Sequence, residues 1–266
     1  IKVAALLKEY KLGESAKLLY EFTWNDFCDW YVEFAKQRFN NKDTNNRQIS
    51  EKVLIKVLND ILVMIHPFMP HITEELWHVL QLKSDKELLS LQKWPTQENK
   101  FVDNKLDNSF QQLFEIIRLI RNLRAELGLK PSEKVPVYLI SDNDELIDFL
   151  KILVDDIQTL TKSSEVFIFK PNAVDKKEFA KSFSGIISDL EVYLPFQDFV
   201  NMDALKERLN KDLKKVTIEL DNLNKRLSNK NFVDKAPKDI VDECRFKLNE
   251  GSVQMERITK KLELLN

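Results

Sequence analysis

The three histidines of this chain have the types and spacing that most directly suggest metal binding. His71, Glu75 and His78 occur at i, i+4 and i+7, so a helix would carry them on one face. A zinc site of the metalloprotease type needs His-Glu-x-x-His, which this sequence lacks. We therefore expect structural roles for these histidines and for His66, and no bound metal.

Motifs for nucleophilic catalysis and for phosphate binding by loops are also missing. Only four glycines occur, and no G-x-G-x-x-G, Walker-type loop or G-x-S-x-G can be found. The sequence thus predicts a chain without a catalytic site or a cofactor of its own.

Basic residues gather in one short segment near the end of the sequence. From residue 224 to residue 238, five basic residues stand against a single carboxylate, Asp234. Such a cluster could contact phosphates, although charge alone fits an ordinary solvated surface equally well. The whole chain has 41 basic and 43 acidic residues, so its overall charge does not favour nucleic-acid binding. The clustered basic residues are Lys225, Arg226, Lys230, Lys235 and Lys238.

Residues 1 to about 132 have the periodicity of successive amphipathic helices. A helix over about 14–39 is apolar on most sides, which predicts a central position with Trp30 in the core. Asn25, Asp29 and Lys36 share its polar edge.

Two prolines interrupt one of the most apolar stretches, in the sequence HPFMPHITEELW (66–77). The preceding helix is expected to begin after Ser50 as its N-cap and to stop at His66, because Pro67 follows. Pro70 fits the first turn of the next helix, where its missing N–H costs little. The prolines therefore predict a tight corner between two buried helices, with Trp77 in the core.

A further helix is predicted over about 107–127, closed by Gly128. Arg118 projects away from its apolar face and Arg121 lies at the flank of that face. Arg124 points almost along the apolar stripe, which suggests a paired or functional arginine.

The pattern changes twice after residue 132. Segments 135–140, 165–170 and 183–196 read as strands around a helix at about 143–160, and so predict a small α/β insert. From residue 202 onward, apolar residues recur at three- and four-residue steps in two runs, which indicates an antiparallel helical hairpin. The predicted fold is mostly α, with a helical bundle (1–132), a small α/β subdomain (133–200) and a two-helix coiled coil (201–266).

Several of these segments resemble one family of enzymes. HPFMPHITEELW (66–77) is similar to the corner in the anticodon-binding domains of valyl-, isoleucyl- and leucyl-tRNA synthetases. LYEFTWNDFCDWYVEFAK (19–36) and IRNLRAELGLKP (120–131) resemble the valyl branch. LSNKNFVDKAP (227–237), between two heptad helices, resembles the turn of the C-terminal coiled-coil arm of valyl-tRNA synthetases. The resemblance covers nearly the whole chain.

The resemblance implies that the bundle docks the anticodon stem-loop of a valine-accepting tRNA and that the arm reaches the outer corner of that tRNA. It also implies a cytoplasmic, monomeric ligase with no membrane contact. The ligase would use ATP and Mg²⁺ in a catalytic domain that this chain lacks, since His-Ile-Gly-His and Lys-Met-Ser-Lys-Ser are absent. The five basic residues near the arm's turn become candidate tRNA contacts. Candidates in the bundle are Arg118, Arg121, Arg124 and Lys130. Asn25 and Lys36 are weaker candidates, because ion pairing within the helix explains their polar edge equally well.

A second hypothesis comes from a different class of protein. A helical bundle with a protruding coiled coil could be a scaffold that recruits a protein partner through its seam. Such a scaffold should self-associate, or should show no salt-dependent affinity for RNA.

Overall fold

The computed structural model describes residues 1–40, 44–80, 87–196 and 201–265. Within these ranges, six side chains lie outside the description: those of Asn40, Thr44, Asn99, Lys230, Asp234 and Lys235. The chain forms two compact units, Ile1–Asn104 and Lys105–Asn266.

The first unit is helical. The predicted central helix is one continuous helical stretch from Leu12 to Asn40, of which Phe22–Tyr31 is π-helical. Phe27, Trp30 and Phe34 are buried on it, so the predicted core position of Trp30 is confirmed. The helices of this unit are α1 (Lys2–Lys8), α2 (Leu12–Glu21), the π-helical segment (Phe22–Tyr31), α3 (Val32–Asn40), α4 (Thr44–Ile65) and α5 (Pro70–Val79), with short 3₁₀ turns at Leu89–Leu91 and Asn99–Phe101.

The predicted N-cap of the α4 helix is wrong. Ser50 lies inside α4, which already includes Thr44, and it is 7% exposed. Its carbonyl accepts a hydrogen bond from the Tyr31 hydroxyl at 3.1 Å. An ion pair between Arg47 and Glu51, at i and i+4, supports the extra helical turn. Residues 44–49, before Ser50, are thus helical, and residues 41–43 lie outside the described part.

The corner between α4 and α5 forms as the two prolines predict. Helix α4 ends at Ile65 and α5 begins at Pro70. The Thr73 hydroxyl donates to the Met69 carbonyl at 2.8 Å and lies 2.8 Å from His66 Nδ1. This side chain therefore links the end of one helix to the first turn of the next.

Trp77 lies at the centre of this corner and is fully buried, as predicted. It packs in a cluster with Leu62, Val63 and Leu89. Its indole Nε1 donates to Asn59 Oδ1 at 2.8 Å, so the one polar atom of the ring has a partner.

The second unit begins with α6 (Asn104–Leu127) and a small sheet. The sheet order is β2-β1-β4-β3; β1 and β2 are parallel, and β4 is antiparallel to both β1 and β3. Two helices separated at Leu153, rather than the single predicted helix, connect β1 to β2. These elements are β1 (Val137–Ser141), α7 (Asp144–Ile152), α8 (Val154–Thr161), β2 (Val166–Phe169), β3 (Ser182–Ile187) and β4 (Leu190–Pro195).

A hydrogen bond on β4 makes the stability of the protein depend on pH in the alkaline range. The Tyr193 hydroxyl donates to Glu191 Oε2 at 2.5 Å. Burial of the hydroxyl is the larger cause, and this hydrogen bond the second, of a rise in the pKa of Tyr193 to about 12. The stabilising contribution of neutral Tyr193 is therefore fully present below its unfolded pKa of 10 and is lost as the pH rises toward 12.

We expect the urea midpoint of the protein to fall more between about pH 9 and pH 12 than that of Tyr193→Phe, which has no group to titrate. The comparison cancels the titration of lysines common to both proteins. Equal falls in the two midpoints would contradict the assignment.

The arm consists of α9 (Met202–Ser228), the short α10 (Lys230–Lys235) and α11 (Lys238–Leu264). Heptad residues of α9 and α11 are buried against each other, as predicted for an antiparallel hairpin. At Gly251 an added Cβ would lie 2.8 Å from Leu220 Cδ2, so glycine permits the close approach of the two helices. The buried seam residues are Leu205, Leu209, Val216, Leu220, Leu223, Val241, Cys244 and Ile258.

Candidate nucleic-acid interface

The end of the arm carries exposed positive charge. Lys225 and Arg226 lie in the last turn of α9, and Lys238 is the first residue of α11. All three are exposed, and none takes part in an ion pair with another described side chain. We call these three residues the tip cations. The other two predicted residues, Lys230 and Lys235, belong to α10, and their side chains lie outside the description.

Several lysines along the arm's length are, by contrast, paired within their own helices. Lys211 pairs with Glu207 at 2.8 Å, while Lys247 and Lys260 each pair with the glutamate four residues earlier at 2.7 Å. Paired charges largely cancel at a distance, so these three lysines add little to the positive potential of the arm.

The base of the arm is held to α6 by two contacts that sequence reasoning missed. Lys261 of α11 pairs with the Glu126 carboxylate at 2.7 Å and lies 5.5 Å from the centre of the Phe183 ring. Arg208 of α9 donates to the Glu126 carbonyl and packs against Gly128. Gly128 has φ +72°, the left-handed conformation that ends α6. The two contacts with Glu126 join residues 82 or more positions apart, and no local pattern indicates them.

The cations predicted on and after α6 have different environments. Arg118 is exposed, and so is Arg121, whose Nε donates to the Leu160 carbonyl at 3.0 Å. Lys130 is exposed, and its backbone N–H donates to the Glu133 carboxylate at 2.8 Å. These three side chains could therefore reach a phosphate.

Arg124 is buried, with 6% of its surface exposed. The terminal guanidinium nitrogen Nη2 donates to the carbonyls of Lys130 (3.2 Å) and Glu133 (2.8 Å), and so holds the loop that follows α6. The second terminal nitrogen, Nη1, has no partner among the described atoms. Burial lowers the pKa of this guanidinium, and the nearby Glu133 charge partly opposes that effect. The sequence predicted that Arg124 would be paired or functional, and in the structure it is paired with two backbone carbonyls.

We expect Arg124→Ala to lower the free energy of unfolding by roughly 1–3 kcal/mol, because two loop carbonyls lose their donor. Lys134→Ala, which removes an exposed cation from the same loop, should stay within about 0.5 kcal/mol of the unchanged protein. Urea titration measures both. If Arg124→Ala instead kept full stability and reduced the salt dependence of RNA binding, Arg124 would be a phosphate contact.

The three residues predicted to share the polar edge of the central helix, Asn25, Asp29 and Lys36, are all exposed. Lys36 pairs with Glu33 at i and i+3, so ion pairing within the helix accounts for its position. Asn25 lies in the π-helical segment.

Two of the three histidines, His66 and His78, have polar partners close in sequence. His66 contacts Thr73, and His78 Nε2 lies 3.2 Å from Glu74, whose carboxylate also accepts from the backbone N–H of Leu89. Within the described ranges, no group of three or more His, Cys, Asp or Glu residues is arranged to hold a metal ion.

Comparison with known families agrees with this architecture. Residues 1–139 match the family described as the anticodon-binding domain of tRNA ligase. The chain belongs to this family. Residues 201–266, which form the arm, match the valyl-tRNA synthetase tRNA-binding arm. Both α6 and the arm with its tip cations therefore fall within segments that tRNA ligases share.

Relatives that match along nearly the whole chain carry the name valine–tRNA ligase. One from Prochlorococcus marinus subsp. pastoris is 72% identical over 99% of this chain. A second from P. marinus strain SARG is 46% identical over 98%, and one from Carboxydothermus hydrogenoformans is 36% identical over the full chain. The chain spans 29% of the length of each. The resemblance to a C-terminal portion of valyl-tRNA synthetases is thereby confirmed.

Among the helices of the described residues, none combines the length and the apolar character that a membrane span requires.

Proposed function

We propose that this chain is the tRNA-binding C-terminal region of a valine–tRNA ligase, in which the arm and the anticodon-binding bundle contact one tRNA. The tip cations carry the proposal. They are exposed and unpaired among the described side chains, at the end of a hairpin whose 27-residue helices each extend about 40 Å at 1.5 Å per residue. Lysine and arginine in such a place suit phosphates, which position a nucleic acid without reading its sequence.

The bundle would supply sequence discrimination. Unpaired bases of an RNA loop are read by stacking and by hydrogen bonds to polar groups. Arg118, Arg121 and Lys130 are exposed and could contact bases or phosphates of the anticodon stem-loop, with Asn25 and Lys36 as further candidates. We assign Arg124 to positioning the loop that carries Lys130, because its guanidinium is buried against that loop.

The chemistry of the ligase would belong to the rest of the enzyme. We propose that ATP and Mg²⁺ bind outside these 266 residues, that this region is not catalytic, and that the ligase acts in the cytoplasm as a monomer. The supporting observation is that the relatives are more than three times as long as this chain.

The test is binding of this chain to a valine-accepting tRNA transcript at several salt concentrations, beside a transcript with an altered anticodon. We expect affinity that falls steeply with salt, as phosphate contacts require. Weaker binding of the altered transcript would indicate a site in the bundle that reads the anticodon. Equal binding of the two transcripts would mean that phosphate contacts alone account for the affinity. If neither transcript bound and the chain self-associated, a scaffold would be the better description.

A further inference from the structure

Two large aromatic side chains of the first unit lie exposed to solvent. Tyr20, in α2, is 63% exposed, and Trp24, in the π-helical segment, is 56% exposed. Their rings stack nearly parallel, with centroids 6.4 Å apart. The same helical stretch buries Phe27 and Trp30 on its inner side, so its packing within the unit is already satisfied. We call the exposed pair the Tyr20–Trp24 face.

Helix α1, which packs against α2, is also rich in apolar residues. Five of its seven residues are apolar, in the sequence KVAALLK; four of these are half-buried, Ala5 is exposed, and none is fully buried. Tyr10, in the turn after it, is 88% exposed, and Leu12, the first residue of α2, is 56% exposed. Short helices gain most of their stability by burying an apolar face, and in this chain α1 leaves its apolar face only half-buried.

We propose that the Tyr20–Trp24 face, together with α1, is the docking surface for the portion of the full-length ligase that lies N-terminal to this region. The proposal rests on the assignment of this chain to the C-terminal part of that ligase. The relatives' lengths make a large partner available, because the chain covers only 29% of each. Tyrosine and tryptophan are also the residues most enriched at the centres of protein interfaces.

The charge around the face favours a protein occupant over RNA. Residues 1–31 contain four lysines and five carboxylates. Two of the lysines are already paired, Lys11 with Glu9 at 2.8 Å and Lys17 with Glu21 at 3.7 Å. A phosphate backbone would gain no net attraction here, whereas RNA-stacking aromatics normally lie in a positively charged groove.

Hydroxyl-radical footprinting read by mass spectrometry tests the proposal in the full-length ligase and in this chain, each with and without tRNA. We expect Tyr20 and Trp24 to react about fivefold or more slowly in the ligase than in this chain, because an interface excludes solvent from its centre. Phe101, 73% exposed, reports general reactivity, and the fully buried Trp77 sets the floor.

Three results would overturn the proposal. Equal oxidation of Tyr20 and Trp24 in ligase and chain would mean that the face stays open. Protection of the isolated chain only on adding tRNA would identify a base-stacking site. Protection that grows with the concentration of the isolated chain would identify a second copy as the occupant. Because the comparison without tRNA needs no RNA binding, it remains decisive even if the proposed tRNA function fails.

A double substitution that introduces two charges into the face provides a second test. Tyr20→Lys with Trp24→Lys should lower the melting temperature of the ligase by about 3 °C or more and that of this chain much less, because only the ligase loses a packed interface. Leu91→Lys, at a residue 78% exposed in the same unit, is the matched control and should change neither. Equal shifts in ligase and chain would contradict docking at this face.

Discussion

Replacing the tip cations Lys225, Arg226 and Lys238 by glutamine lowers the affinity of this chain for tRNA by roughly 10- to 100-fold at low salt. Each of these exposed side chains can neutralise one phosphate and release its counterion. The slope of log affinity against log salt should therefore become shallower by about 1 for each contact removed. Filter binding or fluorescence anisotropy at several salt concentrations measures both quantities.

The matched control removes three positive charges from the length of the arm. Lys211, Lys247 and Lys260 lie in α9 and α11 like the tip cations, but each is paired with a glutamate of its own helix. Their replacement by glutamine makes the same change in net charge, yet it should alter affinity and salt slope far less. Equal losses in the two triple variants would mean that net charge, rather than the end of the arm, determines binding.

Truncating Trp77 to alanine should lower the free energy of unfolding of the Ile1–Asn104 unit by about 3–5 kcal/mol. The indole is fully buried at the corner between α4 and α5, and the cavity would open between Leu62, Val63 and Leu89. The Asn59 amide would also lose its partner. Because this corner determines how α4 and α5 pack together, the loss should appear in the unfolding of the first unit by urea or heat.

Two further variants serve as comparisons. Trp77→Phe keeps a six-membered ring but loses the hydrogen bond to Asn59 and part of the buried indole volume, so we expect an intermediate loss of about 1–3 kcal/mol. Trp24→Ala makes the same truncation at a residue 56% exposed and should cost less than about 1 kcal/mol in this chain. Similar losses for Trp24→Ala and Trp77→Ala would contradict the assignment of Trp77 as the centre of the corner.

Local patterns predicted the elements well where geometry over a few residues decides them. Pro67 and Pro70 located the end of α4 and the start of α5, because proline restricts the residue before it and suits a first helical turn. Gly128 located the end of α6 for the corresponding reason at a C-terminus. The seam of the arm followed from its heptad spacing, which allows only one face to be buried.

The same reasoning failed where a distant partner decides. Ser50 has the side chain of an N-cap, yet α4 continues through it, and Tyr31 bonds its carbonyl. The helix predicted at 143–160 is broken at Leu153 where two helices pack beside the sheet. The Tyr31 contact and the packing beside the sheet join residues that are distant in sequence, so the local pattern did not predict either outcome.

Residue patterns alone were thus enough to establish the helical character of the chain, the proline corner, the small sheet, the two-helix arm and the clustering of positive charge at its end. Which cations are accessible depended on the folded chain: Arg124 is buried against its loop, while Lys225, Arg226 and Lys238 remain exposed. Folding also brought Arg208 and Lys261 to the end of α6 and left Tyr20 and Trp24 exposed. The difference is one of range. Helix periodicity and backbone restriction act over a few residues, whereas burial and pairing depend on which distant segments the folded chain brings together.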